Sequence, residues 1–215
     1  MCVGGVVMVR WSVLAAGLVL GLVLPAGARA ERSFESCSKP DQKLAAAAIG
    51  GSLELARRAA AAVGDTDEYL RWFGAWNRDR QEEVRANLKA IHREIRADDV
   101  RAACPSAANI DCKEGAYAYV LYDRPRVIHL CPSFFAMPSM EDARAGRGDL
   151  ENGTREGTIV HEVSHFLSAA RTSDECYSRT ECGHMARDAE RAVSNADSYQ
   201  YFAEDVMLLF WATPG

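Results

Sequence analysis

Within GTIVHEVSHF (157–166), His161 and His165 stand four residues apart, and Glu162 follows the first of them. On a helix, residues i and i+4 share a face one turn apart, so both imidazoles can turn toward one ion. Zinc takes such nitrogen ligands at about 2.0–2.1 Å. Glu162 would then reach a water held by that ion and act as general base while the water attacks a carbonyl. The string alone is a modest filter: with five His in 215 residues it arises by chance in about 1% of such chains. The bland reading is a helix that happens to carry these residues, with Val160, Val163 and Phe166 as its apolar positions. A catalytic zinc needs a third protein ligand. Asp174, Glu175, Glu181, His184 and Asp188 all carry donors, and spacing does not choose among them. The long motif with a third histidine is excluded, because position 168 is Ser and position 171 is Arg.

Helical spacing dominates the segments that must position this string. Residues 41–63 place Leu44, Ala47, Ala48, Leu53, Leu55 and Ala56 at helical intervals. Ser38-Lys39-Pro40-Asp41 offers a cap and an early proline, while Gly50-Gly51 predicts a weakening or bend. Residues 67–96 predict a second helical region, broken near Gly74, with Val84, Leu88, Ile91 and Ile95 along one face. His92 beside that stripe reads as a surface or boundary residue. AYAYVLYDRPRVIHLC (116–131) alternates and reads as two strands joined at Asp123-Arg124-Pro125-Arg126, the one clear β signal. His129, in the second strand, reads as packing or edge chemistry. Residues 132–140 read as a loop with aromatic anchors, and 141–154 as a polar surface loop carrying the glycosylation sequon Asn152-Gly153-Thr154. Helix resumes near Arg155 and carries HEVSH; residues 171–183 read as irregular, and a last helix covers residues 185–210. The expected class is mainly α with a small β-hairpin (α+β), one domain over residues 31–215.

Arg10 is the only charge before WSVLAAGLVLGLVL, Pro25 breaks the apolar run, and Ala28-Arg29-Ala30 is a small-x-small cleavage site. Residues 1–30 therefore read as a secretory signal peptide, with an uncleaved anchor as the alternative. Its removal takes away Arg10 and Arg29 and leaves 23 basic against 30 acidic side chains, a net of −7. That balance argues against nucleic acid or an anionic membrane as partner. Cys2 leaves with the signal; Cys37, Cys104, Cys112, Cys131, Cys176 and Cys182 remain. An even number behind a signal suggests three disulfides and an oxidising destination, extracellular or periplasmic. There is no C-x-x-C pair to support a zinc–cysteine cluster.

Further segments carry a family likeness. GTIVHEVSHF, RTSDECY and NADSYQYFAE (195–204), with CSKPDQKLAAAA (37–48), YLRWFGAWNRDR (69–80) and VIHLCPSFFAMPS (127–139), resemble the aspzincin metalloendopeptidases, above all their peptidyl-lysine branch. The resemblance implies a zincin-like fold with HExxH on the active-site helix. It implies one Zn2+ on His161, His165 and Asp174, with Glu162 as base. Tyr177 matches a tyrosine that hydrogen-bonds the substrate or the tetrahedral intermediate. Asp197 matches the first of two carboxylates that grip the ammonium of a lysine after the cut bond; the second falls at Gln200, an amide, which halves the charge. Asp197 also has a plain reading, as a buried aspartate fixing the last helix. The family's disulfides imply Cys37–Cys104 and Cys112–Cys131. DECYSRTEC departs from the family's Tyr-Gly, and a local Cys176–Cys182 staple is expected there. Residues 31–36 leave no room for the long propeptide of some members.

The expectation is a secreted, monomeric zinc metalloendopeptidase acting on polypeptides and cutting on the N-terminal side of lysine, with no nucleic-acid partner and no membrane after signal cleavage. Gln200 motivates a broad-specificity endopeptidase as the alternative. A non-catalytic secreted zinc-containing binding protein is the second.

Overall fold

A computed structural model describes residues 33–97 and 99–213; the expected signal peptide, residues 1–30, lies outside them. Ser38 caps α1 (Lys39–Ala62) by accepting the Asp41 N–H. The bend expected at Gly50-Gly51 gives way to one continuous helix. Gly51 instead lets α1 approach the helix carrying Glu156, whose Cγ would lie 2.8 Å from an added Cβ. Thr66 caps α2 (Asp67–Phe73), and Asn77 caps α3 (Arg78–Arg96). Gly74 breaks the two at φ +72, where a Cβ would strike the Ala186 carbonyl. The apolar stripe Val84, Leu88, Ile91 and Ile95 is buried as its spacing requires, and further on Asn109 caps the one-turn α4 (Ile110–Lys113).

The hairpin is only half of the sheet. β1 (Phe34–Glu35), β2 (Arg101–Ala103), β3 (Ala118–Val120) and β4 (Val127–Leu130) form four strands in the order β1-β2-β4-β3. β2 pairs parallel with β1 and with β4, and β3 pairs antiparallel with β4. β1 and β2 are too short to show alternation, and partners far along the chain make them strands. His129 stacks on Tyr119 at 4.6 Å between ring centroids, a packing role.

Four further segments differ from the sequence expectation. A 3-10 turn (Pro132–Ala136) occupies the aromatic loop. Next comes α5 (Met140–Arg144), started inside the expected surface loop by a Ser139–Asp142 capping box. After α6 (Arg155–Ser164), helix α7 (Arg179–Met185) begins within the stretch expected to be irregular. The single last helix is α8 (Ala189–Ser194) and α9 (Ala196–Ala212), separated by an extended Asn195. Its side chain is engaged elsewhere, which composition does not reveal.

α6 is the central helix, packed against α1, α3, α9 and the sheet. Trp72 and Phe73 of α2 meet Tyr199, Tyr201 and Phe202 of α9 in tilted and edge contacts. Disulfides join Cys37–Cys104, Cys112–Cys131 and Cys176–Cys182. No helix among the described residues is long and apolar enough to cross a membrane.

Candidate active site

α6 starts at Thr154, whose Oγ accepts the Gly157 N–H. Gly157 faces α9 so closely that a Cβ would overlap the Glu204 carboxylate. The helix thereby slots against α9 and presents His161 and Glu162, and its C-cap is His165. The two imidazoles lie 4.9 Å apart at 79°. Asp174 Oδ1 sits 3.2 Å from His161 Nε2 and 3.3 Å from His165 Nε2. These three donor atoms lie within 4.8 Å of one another.

The alternative third ligands are placed elsewhere. Glu175 pairs with Arg191, Glu181 accepts the Tyr177 N–H, Asp188 caps α8, and His184 is exposed.

The surroundings prepare this trio for a cation. His165 Nδ1 lies 2.9 Å from the Thr172 carbonyl, so Nδ1–H donates there and Nε2 keeps its lone pair for a metal. His161 Nδ1 faces Asp197 Oδ2 at 3.5 Å. Burial alone would lower the His161 pKa, but Asp197, Asp174 and Glu162 outweigh it and raise it to about 9. The acids thus favour a positive charge at this spot, and a divalent ion supplies one. Burial also works against the Asp174 carboxylate, yet the two imidazoles beside it hold its pKa below the usual range. Two imidazole nitrogens and one carboxylate oxygen, with the far nitrogen of one ring anchored on a carbonyl, fit zinc.

Glu162 is buried, its Oε1 4.0 Å from His161 Nε2, and desolvation raises its pKa. A carboxyl so placed exchanges protons more readily than one in water. Tyr177 stands at the rim with 60% exposure, and burial of its ring edge together with the nearby Asp174, Asp197 and Glu162 charges keeps its phenol protonated. All of these groups open onto one cleft of about 930 Å³, bounded by the edge strand β3, by α6 and by α9.

Asp197 and Gln200 line the far wall of that cleft. Asp197 is buried, and the His161 Nδ1 at 3.5 Å faces its Oδ2. Gln200 is buried too, its Nε2 donating to the Asn152 carbonyl at 3.2 Å and lying 3.4 Å from Glu204 Oε1.

Two braces escaped the sequence reading. Asn195 is wholly buried; its Oδ1 accepts the Glu175 and Cys176 N–H groups, fixing the turn just after Asp174. A polar residue ahead of a helix reads as a cap, yet Asn195 makes no side-chain cap bond to α9. Thr172, the other brace, is itself held by its N–H, which donates to the Ser164 carbonyl at 3.2 Å. The only sequence signal was that Asn195 heads the NADSYQYFAE segment.

A family profile described as lysine-specific metallo-endopeptidase, the aspzincins, matches residues 58–204. The chain belongs to the aspzincin family. That span contains His161, Glu162, His165, Asp174, Tyr177, Asp197 and Gln200. An extracellular protease of Aeromonas hydrophila is 34% identical over 139 residues, covering 64% of this chain and 35% of that protein. A peptidyl-Lys metalloendopeptidase of Grifola frondosa is 29% identical over 185 residues, covering 80% of this chain and 47% of that protein. The aspzincin chain thus spans between a third and a half of the length of these curated relatives. The solved zinc peptidase from Grifola frondosa superposes with a TM-score of 0.66 at 26% identity, over 79% of this chain and 97% of that one.

Proposed function

We propose that this aspzincin is a secreted zinc metalloendopeptidase that prefers lysine immediately after the cut bond. The observation that carries the reading is the convergence of His161 Nε2, His165 Nε2 and Asp174 Oδ1 beside the buried Glu162 at a cleft large enough for a peptide. α6 is its active-site helix, and residues 31–215 form a single catalytic domain behind a signal peptide, residues 1–30. Secretion is supported by the three disulfides. One zinc ion at the trio supplies Lewis acidity toward the scissile carbonyl and an acidified water.

The chain's own groups do the rest. Glu162 takes the proton of the attacking water and hands it to the leaving amine nitrogen. Tyr177, protonated at the rim, donates to the oxyanion as charge develops. Asp197, in the cleft wall, accepts from the lysine ammonium. Gln200 adds a carbonyl acceptor, since its amide hydrogens are directed at Asn152 and Glu204.

One observation favours a second reading, a broad-specificity endopeptidase: Glu204 is paired with Arg179, which leaves Asp197 as the one acid of this wall lining the cleft for an incoming ammonium. Cleavage mapping by mass spectrometry on a denatured polypeptide separates the two, with Glu162→Gln as control. Cuts before lysine that disappear in the control are expected. Cuts before mixed residues would retain the peptidase and discard the lysine preference. A folded, zinc-loaded protein that cuts nothing would sink the peptidase reading and leave the binding-protein one.

A further inference from the structure

Arg179 is neither a ligand of the trio nor part of the cleft lining, yet it is a mostly buried cation with both Nη atoms paired to carboxylates. Its Nη2 lies 2.6 Å from Glu204 Oε2 and its Nη1 2.7 Å from Asp205 Oδ1. The guanidinium stands over Tyr201 at 4.9 Å and Trp72 at 5.5 Å. Its backbone N–H donates to the Glu151 carbonyl at 2.8 Å, and the Thr180 N–H donates to the Glu151 carboxylate at 2.9 Å. Glu204, on the other side of the pair, accepts from the Thr154 N–H and hydroxyl, both at 2.8 Å. Three remote segments, residues 151–154, 177–180 and α9, are therefore tied together through Arg179 and its partner Glu204. The segments carry cleft-lining residues Asn152, Tyr177, Ser178, Asp197, Gln200 and Tyr201. Ser178, just before Arg179, holds φ +71, a conformation that a serine keeps only when its neighbours hold it.

We infer that Arg179 is a positioning residue for substrate specificity: it fixes the wall that meets the side chain after the cut bond and keeps Glu204 engaged away from that side chain. The inference rests on the peptidase reading of the cleft. The planar fork matters, because one guanidinium serves two carboxylates from consecutive residues and an ammonium cannot do so with the same geometry. His165 and the turn after Asp174 are held by different braces, Thr172 and Asn195, while His161 also meets the wall helix at Asp197, so the wall can loosen while two of the three donors stay braced.

The test uses the secreted protein with Arg179→Lys and the double variant Arg179→Met/Glu204→Gln. The double variant removes both charges, so no buried carboxylate is stranded. The first readout is kcat/KM on peptides differing only at the residue after the cut bond. The spread between best and worst peptide should narrow about tenfold in the double variant and less in Arg179→Lys, with zinc content unchanged. The second readout is amide hydrogen exchange, which should quicken over residues 151–154 and 177–180. An unchanged spread, with all peptides slowed alike, overturns the inference, as does a wild-type protein that cuts all peptides equally. If the wild type cuts none, the peptidase reading has failed on its own. Exchange then decides the placement: unaltered protection in the folded double variant overturns it, and lost protection confined to those segments supports it.

Discussion

The metal side of the cleft draws its donors from residues 161–174, whereas the opposite wall is assembled from residues 151–154, 177–180 and 197–204. The metal side crowds acids around two imidazoles until a cation is favoured. The wall does the reverse with its deepest acid: Glu204 is matched by Arg179 and two bonds from Thr154. Asp197, by contrast, is buried in the cleft wall with its Oδ2 3.5 Å from His161 Nδ1, so it touches both sides. The difference teaches that, apart from their junction at Asp197, the chemistry and the choice of substrate rest on separable networks in this fold. Substitutions on one side should therefore leave the other readout largely in place.

The largest expected effect tests the metal side. Glu162→Gln should lower kcat by about 10²–10⁴-fold, the usual contribution of a positioned general base. Zinc content should stay at the wild-type level, because Glu162 is not one of the three donors. Residual cuts should keep their sequence preference. A variant that loses zinc along with turnover would show that Glu162 holds the site together rather than moving protons.

Asn195→Ala probes where the two networks touch. Asn195 lies at the root of α9, the wall helix, but its side chain braces the turn bearing Asp174. Removing a brace behind a ligand weakens zinc binding by about 10–100-fold. Competition with a chelator measures this directly, and the residue preference of the zinc-loaded variant should not change. Unaltered zinc affinity with altered preference would break the division drawn between the two sides.

The same division explains what could be read in the sequence. His161, Glu162 and His165 declare themselves because helical spacing alone puts them on one face. Asp174 needed the family likeness, since five downstream donors were equivalent by spacing. The α3 stripe was legible for the same periodic reason. β1 and β2, two and three residues long, carry no period and exist through pairing with distant chain. Asn195 and Arg179 look like a cap and a surface charge, and only the packed structure shows them buried among partners from other segments. Periodicity reports one element at a time, and these residues act between elements.

The smallest effect is expected from Gln200→Glu, which sharpens the comparison by altering charge on the wall alone. A carboxylate hydrogen-bonds an ammonium more strongly than an amide carbonyl does, by about 1.4 kcal/mol, or tenfold. The preference for lysine over alanine after the cut bond should rise by about that factor, read as the ratio of kcat/KM values. The gain is bounded by the site itself. Gln200 Nε2 now donates to the Asn152 carbonyl and lies near Glu204 Oε1, and a carboxylate would meet two acceptors there. It must turn toward the cleft, which is where the substrate ammonium arrives, and the 151–154 segment loses one tie to α9. Stability should therefore fall as preference rises. An unchanged ratio in a folded variant would mean that the substrate side chain does not reach position 200, and the specificity wall would have to be redrawn around Asp197 alone.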